Sequence, residues 1–460
     1  MHAILKHASV GAMLLAATCT AQAGEQATAP AIGKRQADID AIVREISPQR
    51  IRAHVEKLVG FGTRHTMSET ESDTRGIGAA RRWIKAELER CGAAAGGRLQ
   101  VAFDSHVHPV MARLSRPTEI VNVVATLPGT QPESKDRIYV VSGHYDSIVS
   151  DVMNAVDDAP GANDDASGTA AVMEMACVMA KHRFDATLVF MAVAAEEQGL
   201  LGSENWAKQA RQNNWNVAGM FTNDIIGNSR NDEGKVDDTQ VRLFAEGIPP
   251  GKEIPDALRT LVATGGENDT PTRQLARHVK ETGERYVPGF KVAIVNRRDR
   301  YLRGGDHFPF LERGFPALRF TENAEDFSHQ HQDLRTEGGK KYGDLIEYMD
   351  FGYAAKIARV NAASLASLAL APAAPREVKV ITRNLTNKTE LAWAPNGEPD
   401  LAGYRVVWRE TTAAGWQGAK FVGKVTTFTS DLSKDNVFFG VQAVDRNGNV
   451  SPATYPLPAR

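Results

Sequence analysis

Apolar residues along this chain follow three successive rhythms. Ile51, Val55, Leu58 and Val59 recur at helical spacing, and so do Ala79, Trp83, Ile84 and Leu88. Two helices are expected there, with a polar loop over Thr66 to Arg75 between them. From Ile120 onward, short β-rich runs alternate with helical ones. Ile120 to Leu127 and Ile138 to Ser142 read as strands. Ser167 can cap a helix in which Val172, Met175, Ala176 and Met179 share a face. Thr187 to Ala194 is almost continuously apolar, as a central strand covered on both faces must be. Met220 to Ile226 and Pro316 to Phe320 add strands, and a last helix carries Tyr353, Ile357, Val360, Leu365 and Leu368. Such alternation predicts an α/β three-layer sandwich with a mostly parallel, mixed central sheet.

The third rhythm begins after a Pro/Ala linker at 371–375. Val378 to Ile381, Glu390 to Trp393, Tyr404 to Trp408, Lys420 to Val422 and Phe438 to Val444 are short β runs separated by turn residues. They predict an all-β sandwich over 376–460. At the other end, Lys6 and His7 precede an apolar run and the small-x-small pattern Ala21-Gln22-Ala23. That is an export signal over 1–23, leading to a periplasmic or extracellular location. An Ala-rich mobile leader is expected over 24–38 and the α/β unit over 39–370. No later apolar segment is long enough to span a bilayer.

Composition changes this picture little. The 460 residues are 42% hydrophobic and 24% charged, with a formal net charge of −2. Nothing in that balance points to a nucleic-acid partner or to disorder. Two cysteines remain after signal cleavage, Cys91 and Cys177. An oxidising compartment permits pairing, but burial tendency favours two unpaired thiols. Neither has the spacing of a cysteine zinc site.

Chemistry gathers where predicted strands end, which is where α/β folds bind ligands. His144 follows one strand, and Asp146 can accept a hydrogen bond from the ring nitrogen that does not bind metal, fixing tautomer and orientation. Alone, this pair reads equally well as a solvated turn. Asp164 and Asp165 precede the Ser167 helix, whose N-terminus favours anions; simple capping is the bland alternative. Glu196-Glu197 follows the most apolar strand, an expensive place for two acids without a cation. Asp224 interrupts an apolar strand, so it needs a metal or a buried Lys or Arg partner. His329 and His331 lie in a polar loop, and one of them is needed. Together these groups suit two metals about 3.5–4 Å apart, an arrangement that hydrolyses amides.

The ordered motifs Gly143-His144-Tyr145-Asp146-Ser147, Gly161-Ala162-Asn163-Asp164-Asp165-Ala166-Ser167-Gly168, Ala195-Glu196-Glu197-Gln198-Gly199 and Asn223-Asp224-Ile225-Ile226-Gly227 resemble peptidase family M28, the aminopeptidase Y-like zinc aminopeptidases. The resemblance covers roughly 39–370 and implies the zinc-exopeptidase fold. It implies two Zn2+ per chain: His144 and Asp224 on one, Glu197 and the late histidine on the other, Asp164 bridging. Glu196 is then the general base. A register through Glu325-Asp326-Phe327 favours His331, which is taken as the ligand; the spacing of His329 to Asp333 keeps His329 as the alternative. Gly304-Gly305-Asp306-His307 resembles a substrate-side loop, so His307 and Tyr301 are candidate substrate contacts, with a structural loop histidine as the alternative. The tail resembles a fibronectin type III module.

These residues imply an exported aminopeptidase acting on peptides with a free N-terminus. Two rivals stay open: a single-zinc glutaminyl cyclase-like enzyme, and a non-catalytic binding protein on a peptidase scaffold. Residue preference and oligomeric state are not legible in the sequence.

Overall fold

The structure is a computed structural model that describes residues 30–249 and 255–460. The export signal and most of the leader lie outside the described residues. Three helices open the chain: α1 (Ala37–Glu45), α2 (Pro48–Val59) and α3 (Gly76–Ala94). Eight strands then build one sheet: β1 (Gln100–His108), β2 (Thr118–Leu127), β3 (Arg137–His144), β4 (Thr187–Val193), β5 (Asn216–Asn223), β6 (Gln240–Ala245), β7 (Lys291–Val295) and β8 (Ala317–Glu322). Between them run α4 (Ala166–Met179), α5 (Leu201–Gln212), α6 (Asp256–Ala263), α7 (Pro271–Tyr286) and α8 (Phe308–Glu312), and α9 (Phe351–Leu370) follows.

The spatial order is β1-β2-β4-β3-β5-β8-β6-β7. The central strands β4, β3, β5 and β8 are mutually parallel; β2 pairs antiparallel with β4 and with β1, and the parallel β6–β7 pair joins β8 antiparallel. This is the expected mixed sheet. Alternation along each strand builds the three layers. Val141, Phe190 and Phe221 face one core, which packs against α4 and α9. Their neighbours Val140, Val189, Met191 and Met220 face the other, under Trp206 and Phe310. Because β3, β4 and β5 run the same way, the residues just beyond their carboxyl ends share one edge of the sheet.

One expectation is overturned. Cys91 on α3 and Cys177 on α4 are joined in a disulfide, with Cα atoms 5.1 Å apart. Burial of each cysteine could not foretell this, because a buried thiol and a buried disulfide satisfy the same tendency. Proximity of α3 to α4 decides it.

After Ala371–Pro375 the chain forms two further sheets. The strands β11 (Arg376–Ile381), β12 (Thr389–Ala394), β15 (Thr427–Ser430) and β17 (Leu457–Ala459) make one, in the order β15-β12-β11-β17. The strands β13 (Leu401–Glu410), β14 (Gly418–Gly423) and β16 (Val437–Asp445) make the other. They enclose Leu391, Trp393, Tyr404, Val406, Phe439 and Val441. A short hairpin, β9 (Arg335–Glu337) and β10 (Lys340–Tyr342), stands apart. Among the described residues, no helix is long and apolar enough to cross a membrane.

Candidate metal centre

His144 is the last residue of β3, Asp224 is the first beyond β5, and Glu196-Glu197 follow β4 by two residues. Asp164 stands two residues before α4. The strand ends can meet α4 this closely because of glycines. A Cβ on Gly143 would sit 2.4 Å from the backbone carbon of Gly168, and one on Gly168 would sit 2.1 Å from the carbonyl oxygen of Asn223.

Asp165 fastens this junction. Its Oδ2 accepts from the His144 amide at 3.0 Å, and its Oδ1 accepts from the Gly168 amide at 2.9 Å and the Ile225 amide at 3.3 Å. One carboxylate therefore ties β3, α4 and the end of β5. Asp146 does the same for the β4 loop, accepting from the amides of Glu196 and Glu197 at 3.3 and 3.2 Å. The Asp146 carboxylate lies 3.5 Å from Nδ1 of His144, while the main-chain oxygen of Asp146 is nearer, at 3.2 Å. Asp344 accepts from the amides of Asn163 and Asp164. Arg64, fully buried, donates to the carbonyls of Tyr145, Pro160 and Gly161, shaping the loop between the first two motifs.

Two donor groups share Asp164. In one, Nε2 of His144 lies 3.1 Å from Asp164 Oδ1 and 4.0 Å from Asp224 Oδ1. In the other, Nε2 of His331 lies 2.8 Å from Asp164 Oδ2 and 3.0 Å from Glu197 Oε1. Although they are so close, Nε2 of His331 and Oε1 of Glu197 are both buried and neither has a hydrogen-bond partner. Buried imidazoles and carboxylates orphaned in this way fit divalent zinc. Glu196, half-buried, approaches the first group beside His144 and Glu197.

Charge tells the same story. Burial pushes Glu196 well above the usual carboxylate range, and Asp224, Glu197 and Asp306 push it further. Burial likewise raises Asp165, and raises Asp306 to about 7. Burial would lower His331, but Glu197 and Asp164 carry it up to about 11. The cluster holds more negative charge than its own cations neutralise, and it is short of positive charge.

The structure separates the two late histidines. His331, in the left-handed region with φ 54°, joins Asp164 and Glu197. His329 stacks on Tyr348 with ring centres 3.6 Å apart, and Asp333 binds Ser150. His307 is fully buried, with Nε2 on the carbonyl of Arg298 at 2.9 Å, so it is not an accessible pocket wall. Tyr301 is 82% exposed and packs under the Arg297 guanidinium. Neither belongs to the two donor groups.

Sequence reasoning passed over Arg319, Arg64, Asp344 and Gln330, whose Nε2 donates to Asp164 Oδ2 at 2.9 Å. Arg319 did leave a signal, a charge inside the apolar strand Ala317-Leu318-Arg319-Phe320. It pairs with Asp224 at 2.9 Å, so Asp224 has both an arginine partner and a place in a donor group.

The chain is thus a mixed α/β sheet with buried carboxylates and imidazoles at its carboxyl edge. The family model for peptidase family M28 matches residues 122–337. A probable zinc metalloprotease of Leptosphaeria maculans is 50% identical over 92% of this chain and 97% of its own length. A probable zinc metalloprotease of Pyricularia oryzae is 51% identical over 92% of this chain and 85% of its own. The chain belongs to peptidase family M28 and is a metallopeptidase. The fold is shared with the Legionella pneumophila LapA aminopeptidase, at TM-score 0.51 and 18% identity, over 73% of this chain and 76% of that one. It is shared equally with a Macrostomum lignano glutaminyl cyclase, at TM-score 0.51 and 14% identity, over 72% and 92%.

Proposed function

We propose that this protein is an exported aminopeptidase that holds two zinc ions and hydrolyses the first peptide bond of peptides with a free N-terminus. The observation that carries this reading is the sharing of Asp164: its Oδ1 faces His144 and its Oδ2 faces His331. In this reading His144 and Asp224 hold one ion, Glu197 and His331 the other, and Asp164 both. Bound zinc supplies Lewis acidity, which makes water nucleophilic near neutral pH and polarises the scissile carbonyl.

The chain's own residues supply the rest. Glu196 takes a proton from the attacking water on its carboxylate and returns it to the leaving amine. Burial, which raises its proton affinity, suits it to that exchange. Asp146 keeps Glu196 and Glu197 in register by holding their amides. The surplus of carboxylates favours a substrate that brings its own positive charge, as a free α-ammonium does. Export is supported by the pattern at 1–23 and by the Cys91–Cys177 disulfide, which suits an oxidising compartment.

The test is a panel of aminoacyl-anilides together with zinc analysis, chelation and add-back. Turnover that disappears with the metal and returns with zinc is expected. Protein carrying one zinc and turning over no aminoacyl substrate, while cyclising N-terminal glutamine, would replace this reading with the cyclase one.

A further inference from the structure

We infer that Arg319 is a built-in counter-ion at one end of the cluster, competing with a metal for the charge of Asp224, so that the two metal positions are held unequally. This rests on the two-metal reading above.

Arg319 projects from β8 and is fully buried. Its guanidinium lies 2.9 Å from Asp224 Oδ2 and 3.0 Å from Asp299 Oδ2, and its Nη1 donates to the carbonyl of Gly304. The contact with Asp224 is one of charge. Nη2 and Nε of Arg319 have no aligned hydrogen-bond partner despite the short separation. The two oxygens of Asp224 are thereby divided: Oδ2 faces the guanidinium, and Oδ1 faces His144. The loop is fitted to this arrangement, since a Cβ on Gly305 would sit 2.8 Å from Arg319 Nη1 and 3.3 Å from Asp224 Oδ2. The second donor group has no such feature. Among the described residues, no lysine or arginine side chain pairs with the carboxylate of Asp164 or Glu197.

Two consequences follow from Coulomb's law. A fixed positive charge on Asp224 repels a divalent ion bound to the same carboxylate, and in a buried site that repulsion is weakly screened. Without metal the same charge does the opposite. It gives Asp224 a partner among Asp164, Glu196 and Asp306, where an unpaired carboxylate would be costly. Arg319 therefore lets the metal-free chain keep its fold, and the position beside it binds metal less tightly than the position at Glu197 and His331.

The experiment is a chelator titration of zinc-loaded protein, reading zinc released per chain, alongside melting temperatures with and without zinc. Wild type is expected to release two zincs in two steps, and Asp224→Asn to lack the weaker step. In Arg319→Met the weaker step should tighten by about tenfold or more, the other should stay unchanged, and the melting gain on adding zinc should widen. Arg319→Lys, which keeps the charge, should behave as wild type. A weaker step that is unchanged or loosened in Arg319→Met overturns the inference, as does Arg319→Lys matching Arg319→Met. The titration starts from loaded protein, so it does not require the variant to fold without metal. If wild type holds fewer than two zincs, or Asp224→Asn still holds two, the metal assignment itself falls, a result distinct from either.

Discussion

Two buried charge clusters in this molecule look alike in a list of residues and differ in geometry. One lies between α7 and the C-terminal sheets. There Asp269 accepts from Gln274 and Arg277 on Oδ1, both at 2.9 Å, and from Arg409 on Oδ2 at 2.6 Å. Trp416 lies 5.8 Å from each of the two guanidiniums. Both carboxylate oxygens have aligned donors, and cations outnumber the anion. The other is the metal centre, where carboxylates outnumber cations and buried ligand atoms lie close together without an aligned hydrogen bond. A closed cluster of buried charge holds parts together. An open, one-signed cluster reserves room for something the chain does not supply.

Four substitutions test that contrast. Glu196→Gln keeps shape and removes the proton acceptor; kcat should fall about 10²- to 10⁴-fold while zinc content and the thermal melt stay at wild-type values. Retained turnover would remove Glu196 from the role of base. Asp269→Ala should do the reverse, costing about 3–5 kcal/mol in denaturant unfolding because two buried guanidiniums lose their partner. The kcat of its folded fraction should not change; a large loss there would show that the two clusters are coupled. His331→Ala should leave about one zinc per chain and lower activity on the order of a hundredfold, whereas His329→Ala, which only unstacks Tyr348, should stay within about threefold. The opposite ranking would reverse the assignment of the two histidines.

The smallest effect concerns a half-buried acid at the junction of the two units. Burial, with Asp400 and Asp445 nearby, raises Asp185 to about 6. Because its folded pKa exceeds the unfolded one, its contribution is greatest below about 4 and is lost as pH rises through about 6. Asp185→Asn should therefore stabilise the protein near pH 7 by about 1 kcal/mol after solvent screening, and by nothing at pH 4. Equal effects at both pH values would remove electrostatics as the cause.

The sheet was legible wherever strands are buried on both faces. Thr187 to Ala194 could be nothing but a central strand, and β3, β5 and β8 declared themselves in the same way. β1, β6, β7 and α7 did not. β1 is mostly exposed, with Phe103 at 42% and Val107 at 67%, so its pattern carries no clean alternation. The four ordered motifs marked the edge that carries the metal centre because acids following apolar strands are rare and expensive. The supports of that centre were hidden for a physical reason. Asp344 works through backbone amides that any sequence would offer, and Arg64 works through carbonyls. The choice between His329 and His331 turns on a loop conformation that neighbouring residues do not announce.

The disulfide has a meaning beyond folding. Cys91 and Cys177 are 86 residues apart, and between them lies the exposed loop around Val156, itself 77% exposed. A cut there by another protease would put His144 and Asp146 on one fragment and Asp164, Glu196, Glu197, Asp224 and His331 on the other. The covalent bridge from α3 to α4 keeps both fragments on one molecule, and the sheet keeps them in register. A chain bridged in this way can be nicked at this exposed loop and still keep the residues of its metal centre on one molecule.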